Sequence, residues 1–170
     1  FGVIRDIAKN GKYCLTYGGQ YKKLASVLGC SLKKGKQLFD AFWRGNYALN
    51  KLREKLERFY EANGYIPGID GRKIFVRSKH ALINTLFQSA GAIVMKVSMC
   101  YLDDWVRKEG LDATKVGDFH DEGQAEVHPK DVERYKELAI QSIVQAGIYL
   151  QLRCPLDADE QEGANWSLTH

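Results

Sequence analysis

Residues 79–109 run for 31 positions with a single glycine, Gly91, and none of the chain's 3 prolines. Apolar residues recur through them at helical spacing, and Gly110 follows as a stop, so one long helix over about Lys79–Glu109 is predicted. Its centre, Ala81–Leu102, is apolar enough to pose the question of a membrane span. Asn84, Gln88 and Lys96 interrupt it, and placing them in hydrocarbon is costly. The expected setting is therefore a helix buried in a soluble protein, with no membrane partner. Everything else in the chain has to pack around this one element.

The flanking segments are shorter. Val3–Tyr17 reads as a helix ended by Gly18-Gly19, and Tyr21–Leu28 as a short one ended by Gly29. Lys33–Tyr47 and Ala48–Ala62 carry apolar residues at helical spacing, and Asn63-Gly64 stops the second. Asp70-Gly71 predicts a tight turn leading into a strand at Lys73–Val76. Lys115–Val127 reads as two short strands around a charged turn. Pro129 and Asp131 then open a helix to about Ala146, and Ile148–Cys154 is expected to form a last strand. Helices first, then strands mixed with helices, gives an α+β class rather than an alternating parallel fold.

Composition narrows the function. The chain has 170 residues, 45% hydrophobic and 27% charged, a globular balance. Its net charge of +4 conceals polarity along the chain. Residues 1–60 hold 13 Lys+Arg against 4 Asp+Glu, whereas residues 111–170 hold 5 against 12. A basic first third suits a polyanion, and an acidic last third suits a divalent cation or a solvated surface. The 4 cysteines form no CxxC pair, which removes zinc ribbons and thioredoxin-like chemistry and favours a reducing compartment. No signal peptide is visible. A first residue of Phe rather than Met is expected of a piece of a longer chain.

Three groups of residues could carry chemistry. Arg5, Lys9, Tyr13 and Tyr17 are four apart on one helical face, as a phosphate ligand with a sugar or base would require. An amphipathic helix with solvated charges and core tyrosines has the same spacing. His80, Asn84 and Gln88 repeat the interval. Such a stripe can donate to the minor-groove acceptors common to all base pairs, or be satisfied within a core. Asp118-Phe119-His120-Asp121-Glu122 concentrates carboxylates at a turn. Alternation on a hairpin aims Asp121 and Glu122 differently, and one projecting carboxylate suits Mg²⁺; a solvated charged turn is the plainer reading. His120, Asp121 and His128 match no compact zinc motif.

Arg5-x3-Lys9-x3-Tyr13-x3-Tyr17-Gly18 resembles the nucleotide-binding helix of the family A, or DNA polymerase I-like, DNA polymerases. His80-Ala-Leu-Ile-Asn84-Thr-Leu-Phe-Gln88-Ser-Ala-Gly resembles their palm helix, in a form similar to phage members. Phe119-His120-Asp121-Glu122 resembles their third palm motif, with Phe where Val is common. The Asn165-Trp…His170 ending is similar as well.

The resemblance implies a helical fingers segment over residues 1–64, followed over 65–170 by the distal palm, part of an antiparallel sheet with packed helices. Arg5 and Lys9 would bind the triphosphate, Tyr13 the sugar, and Tyr17 the base of the insertion site. His80, Asn84 and Gln88 would contact primer-template DNA. Asp121 would ligate metal, with His120 and Glu122 positioning the primer end. The implied activity is template-directed transfer from dNTPs to a primer 3′ end with two Mg²⁺ ions. That chemistry needs a second Asp from an upstream part of the polymerase, either in cis or on a separate chain. The implied location is the cytoplasm, that of the host for a phage protein. A non-enzymatic DNA-binding module is the alternative, and it needs neither Asp121 nor metal.

Overall fold

The computed structural model describes residues 2–169, with side chains from Arg5 onward. Its helices are α1 (Gly2–Thr16), α2 (Tyr21–Val27), α3 (Leu32–Gly45), α4 (Tyr47–Asn63), α5 (Leu82–Glu109) and α6 (Val132–Tyr149). Strands β1 (Ile66–Pro67) and β2 (Lys73–Ile74) pair antiparallel, as do β3 (Ala113–Phe119) and β4 (Glu122–Val127). Single 3₁₀ turns precede α5 and α6, and a third covers Trp166–Leu168. The class is α+β. The chain divides into two compact units, Phe1–Ser89 and Ala90–His170, with α5 running through the division.

The first unit is built on two clusters. Trp43, Leu56, Ile66, Leu82 and Ile83 form one; Cys14, Leu15 and Leu24 form the other. Leu24, Ile66 and Leu82 are almost wholly buried, each contributing about 1.5–3 kcal/mol of transfer free energy. Ile66 lies opposite Ile74, so the small hairpin inserts one face beneath α4, while the Tyr60 hydroxyl donates to the Val76 carbonyl at 3.2 Å. Because the hairpin and the start of α5 complete this core, the compact unit extends to Ser89. Gly35 allows α3 to cross α2 closely: a Cβ there would stand 2.6 Å from the Ala25 Cβ.

Helix ends follow the glycines. α1 closes with Gly18 at φ +80°, its N–H donating to Leu15 O and the Gly19 N–H to Cys14 O. Gly64 and Gly110 take the same left-handed conformation after α4 and α5.

In the second unit Leu102 on α5 and Leu138 and Ala146 on α6 are buried, and the buried Ser142 hydroxyl of α6 lies 3.4 Å from that of Ser98 on α5. Arg134 on α6 holds both Glu109 carboxylate oxygens at 2.6 and 2.7 Å. Two expectations change here. Ile148–Cys154 forms no strand: α6 continues to Tyr149 and ends with Gln151 at φ +53°, Leu152 N–H donating to Gly147 O at 2.9 Å. Capping the carbonyls of the last turn in this way satisfies groups that a strand would have to pair elsewhere. The long helix is also less buried than expected. By length and composition Lys79–Glu109 could cross a membrane, with mean hydropathy 1.2, but only 17% of that window is buried.

Candidate active site

In the first unit the Arg5–Tyr17 stripe stands on the open side of α1. Arg5 and Lys9 are exposed, and Tyr13 and Tyr17 are each about half exposed. The two tyrosine rings stack, centroids 5.7 Å apart and planes within 7°, and the Lys9 ammonium lies 5.8 Å from the Tyr13 ring. Spacing by four residues therefore produces a continuous cation–aromatic surface rather than core tyrosines.

Directly after it, Gly18 meets the second stripe. A Cβ on Gly18 would lie 1.9 Å from the His80 carbonyl oxygen, so the backbones touch. His80 sits in the 3₁₀ turn Lys79–Ala81, and Asn84 and Gln88 follow on α5. Gln88 is exposed. Asn84 is half-buried, and its Oδ1 is buried with no hydrogen-bond partner among the described residues. A buried acceptor left this way costs about 1–3 kcal/mol unless something outside these residues pairs with it.

In the second unit β3 and β4 close on the pair Phe119–Glu122, leaving His120 and Asp121 as a two-residue turn. His120 carries φ +56°, a strained value for a residue with a side chain. This geometry puts Asp121 at the tip, exposed and without a hydrogen bond or ion pair to any described residue. Its neighbours are engaged. Asp118 pairs with Lys115 at 2.7 Å. Glu122 accepts from Gln124 Nε2 and, at 3.2 Å, from Trp166 Nε1. The Trp166 ring stacks on Phe119 with centroids 4.3 Å apart. This grip of Trp166 on Phe119 and Glu122 is a long-range contact with no signal in the sequence. His170 lies outside the described residues.

Asp121 and Glu122 border a cleft of about 370 Å³, with Lys136, Asp159 and Glu160 across it. A larger, mainly apolar cavity of about 760 Å³ is lined by Met95, Met99, Val106, Asp118, His120 and Tyr135. Burial, with a smaller contribution from the Asp118 carboxylate, pushes the Tyr135 phenol up. Lys136 is held charged by Glu162 and Glu133. Asp121 offers a hard oxygen donor fit for Mg²⁺. Among the described residues no group of three or more His, Cys, Asp or Glu side chains could hold a metal ion.

The DNA polymerase family A profile matches residues 3–168. A DNA-directed DNA polymerase of Escherichia phage Phieco32 is 39% identical over 98% of this chain and 28% of its own length. That of Escherichia phage T7 is 30% identical over 98% of this chain and 27% of its own. The chain therefore spans little more than a quarter of these curated relatives. The POL domain of Pol1 from M. smegmatis, solved in complex with DNA primer-template and dNTP, superposes with a TM-score of 0.79. It is 20% identical and is covered over 86% of this chain and 28% of that one.

Proposed function

The chain belongs to DNA polymerase family A, and on that premise we propose that it is the C-terminal part of a DNA-directed DNA polymerase, with residues 1–64 in the fingers and 65–170 in the distal palm. The observation that carries the reading is Asp121: a carboxylate at a hairpin tip, unpaired among the described residues, beside the carboxylates Asp118 and Glu122, which are both engaged.

Each residue group then has a task. Arg5 and Lys9 hold the triphosphate of an incoming dNTP and offset the charge that develops on it. The Tyr13 ring packs against the sugar, and Tyr17 floors the insertion site. His80, Asn84 and Gln88 touch primer-template DNA. Asp121 is one Mg²⁺ ligand, and a second carboxylate comes from another part of the polymerase. His120 and Glu122 position the primer end, Glu122 being fixed from behind by Trp166 and Gln124. Two bound Mg²⁺ ions would supply the Lewis-acid chemistry of nucleotidyl transfer, acidifying the primer 3′-hydroxyl and steadying the pyrophosphate.

The basic first third alone would also suit a non-enzymatic DNA-binding module. Mg²⁺-dependent dNTP binding by a polymerase carrying this segment separates the two. The enzyme reading expects dNTP binding that Mg²⁺ strengthens and that Lys9→Ala weakens. DNA binding with no dNTP binding, indifferent to Mg²⁺, would establish the module instead.

A further inference from the structure

The β1–β2 hairpin has an outer face that alternation alone would make polar. Ile66 and Ile74 point into the core, so Tyr65 and Phe75, one step along each strand, take the opposite face. Phe75 is 78% exposed, the most exposed of the large apolar side chains among the described residues. Its ring lies 6.3 Å from that of Tyr65, which meets Phe59 of α4 edge-on at 5.6 Å. The Lys73 ammonium sits 4.8 Å from the Tyr65 ring. Three rings thus form a connected outer surface with a cation laid on it.

Several cations adjoin these rings in sequence. Arg72 is neutralised by Asp70, and Lys79 by Glu61. Lys73 and the exposed Arg58 and Arg77 have no ion pair among the described residues. An exposed ring backed by two half-buried ones, combined with unneutralised cations, fits a ligand that offers flat π surfaces and phosphates together. A duplex keeps its base faces stacked inside, and an acidic peptide has charge but no such faces. We propose that Phe59, Tyr65, Lys73 and Phe75 form a stacking platform for an unpaired nucleic-acid strand. Phe75 and Tyr65 take base faces and Lys73 takes the backbone. The platform stands on its own observations and uses none of the residues assigned to nucleotide, metal or primer-template.

The test measures fluorescence anisotropy of the chain with labelled oligothymidylate of about 12 nucleotides, within the span one such surface occupies. An abasic strand of equal length and a duplex serve as comparisons. Phe75→Ala should weaken binding to oligothymidylate at least about fivefold, the low end for loss of one stacked base. It should leave the abasic strand and the duplex unchanged. Phe75→Tyr should retain affinity, and a 2-aminopurine probe should lose its fluorescence change with Phe75→Ala alone. Lys73→Gln should weaken the normal and abasic strands alike and flatten the salt dependence. Loss of equal size on the abasic strand would overturn the platform, as would no loss on oligothymidylate. Conversion of a dimer to a monomer by Phe75→Ala in sedimentation would overturn it too, by showing that a second copy covers the rings. Failure here leaves Mg²⁺-dependent dNTP binding untouched, so the two readings fail separately.

Discussion

Replacing Gly18 by Ala should be among the most damaging single-methyl changes in the first unit. Gly18 and Gly29 both adopt left-handed backbone, at φ +80° and +60°. A side chain in that conformation costs about 1–2 kcal/mol at either site. The surroundings differ. Nothing lies within 4 Å of a Cβ at Gly29, whereas at Gly18 it would stand 1.9 Å from the His80 carbonyl oxygen and 2.8 Å from its carbon. Backbone cannot swing aside as a side-chain tip can, so Gly18→Ala adds an overpacking cost of about 1–3 kcal/mol. Gly29→Ala should therefore cost about 1–2 kcal/mol and Gly18→Ala about 2–5 kcal/mol. Urea unfolding of the two variants beside the unaltered chain measures both, and their difference isolates the contact. Because that contact joins the end of the cation–aromatic stripe to the start of the polar one, Gly18→Ala should also weaken dNTP binding in a complete polymerase, whereas Gly29→Ala should not. Equal destabilisation by the two variants would refute the reasoning.

Tyr13→Phe should raise discrimination against dideoxynucleotides with little loss of normal synthesis, read from competition between dideoxy and deoxy substrates; an unchanged ratio would remove Tyr13 from the sugar. The chain alone should give no primer extension with Mg²⁺ and four dNTPs, since the proposed two-metal site draws its second carboxylate from another part of the polymerase; extension that disappears on Asp121→Ala would contradict this. The Glu109 carboxyl is held below its ordinary 4.5 by the Arg134 hydrogen bonds, against a smaller opposing effect of burial. A depressed carboxylate stabilises above its unfolded value and loses that contribution as pH falls through its folded one. Glu109→Gln should therefore lower the denaturation midpoint at neutral pH, with the two proteins converging below pH 4.5; a constant gap would refute the linkage.

Much of this fold is local chemistry and so is readable from sequence. Gly18, Gly64 and Gly110 end helices because left-handed backbone there costs glycine little, and Asp70-Gly71 turns for the same reason. The stripes at Arg5–Tyr17 and His80–Gln88 are visible as intervals of four. The hairpin tip is visible because apolar Phe119 borders a run of charges. What sequence did not carry is long-range. Ile148–Cys154 has the alternation of a strand, yet α6 continues to Tyr149 and its end is capped through Gln151 and Leu152. The docking of Trp166 was not legible, because Phe119 and Glu122 lie more than 40 residues away. The outward rings of Tyr65 and Phe75 appear only once Ile66 and Ile74 are seen to take the core side.

The central claim is that Asp121 binds catalytic metal at the tip of the hairpin. It is tested most directly by primer extension with a complete polymerase carrying Asp121→Ala, measured beside a gel-shift titration of primer-template. Removing a metal ligand strikes the chemical step, whereas affinity for DNA rests mainly on phosphate contacts elsewhere. The account predicts that incorporation disappears while the gel-shift midpoint stays within about threefold of the unaltered enzyme, less than the effect of losing a phosphate contact at ordinary salt. Near-normal extension by Asp121→Ala would contradict it.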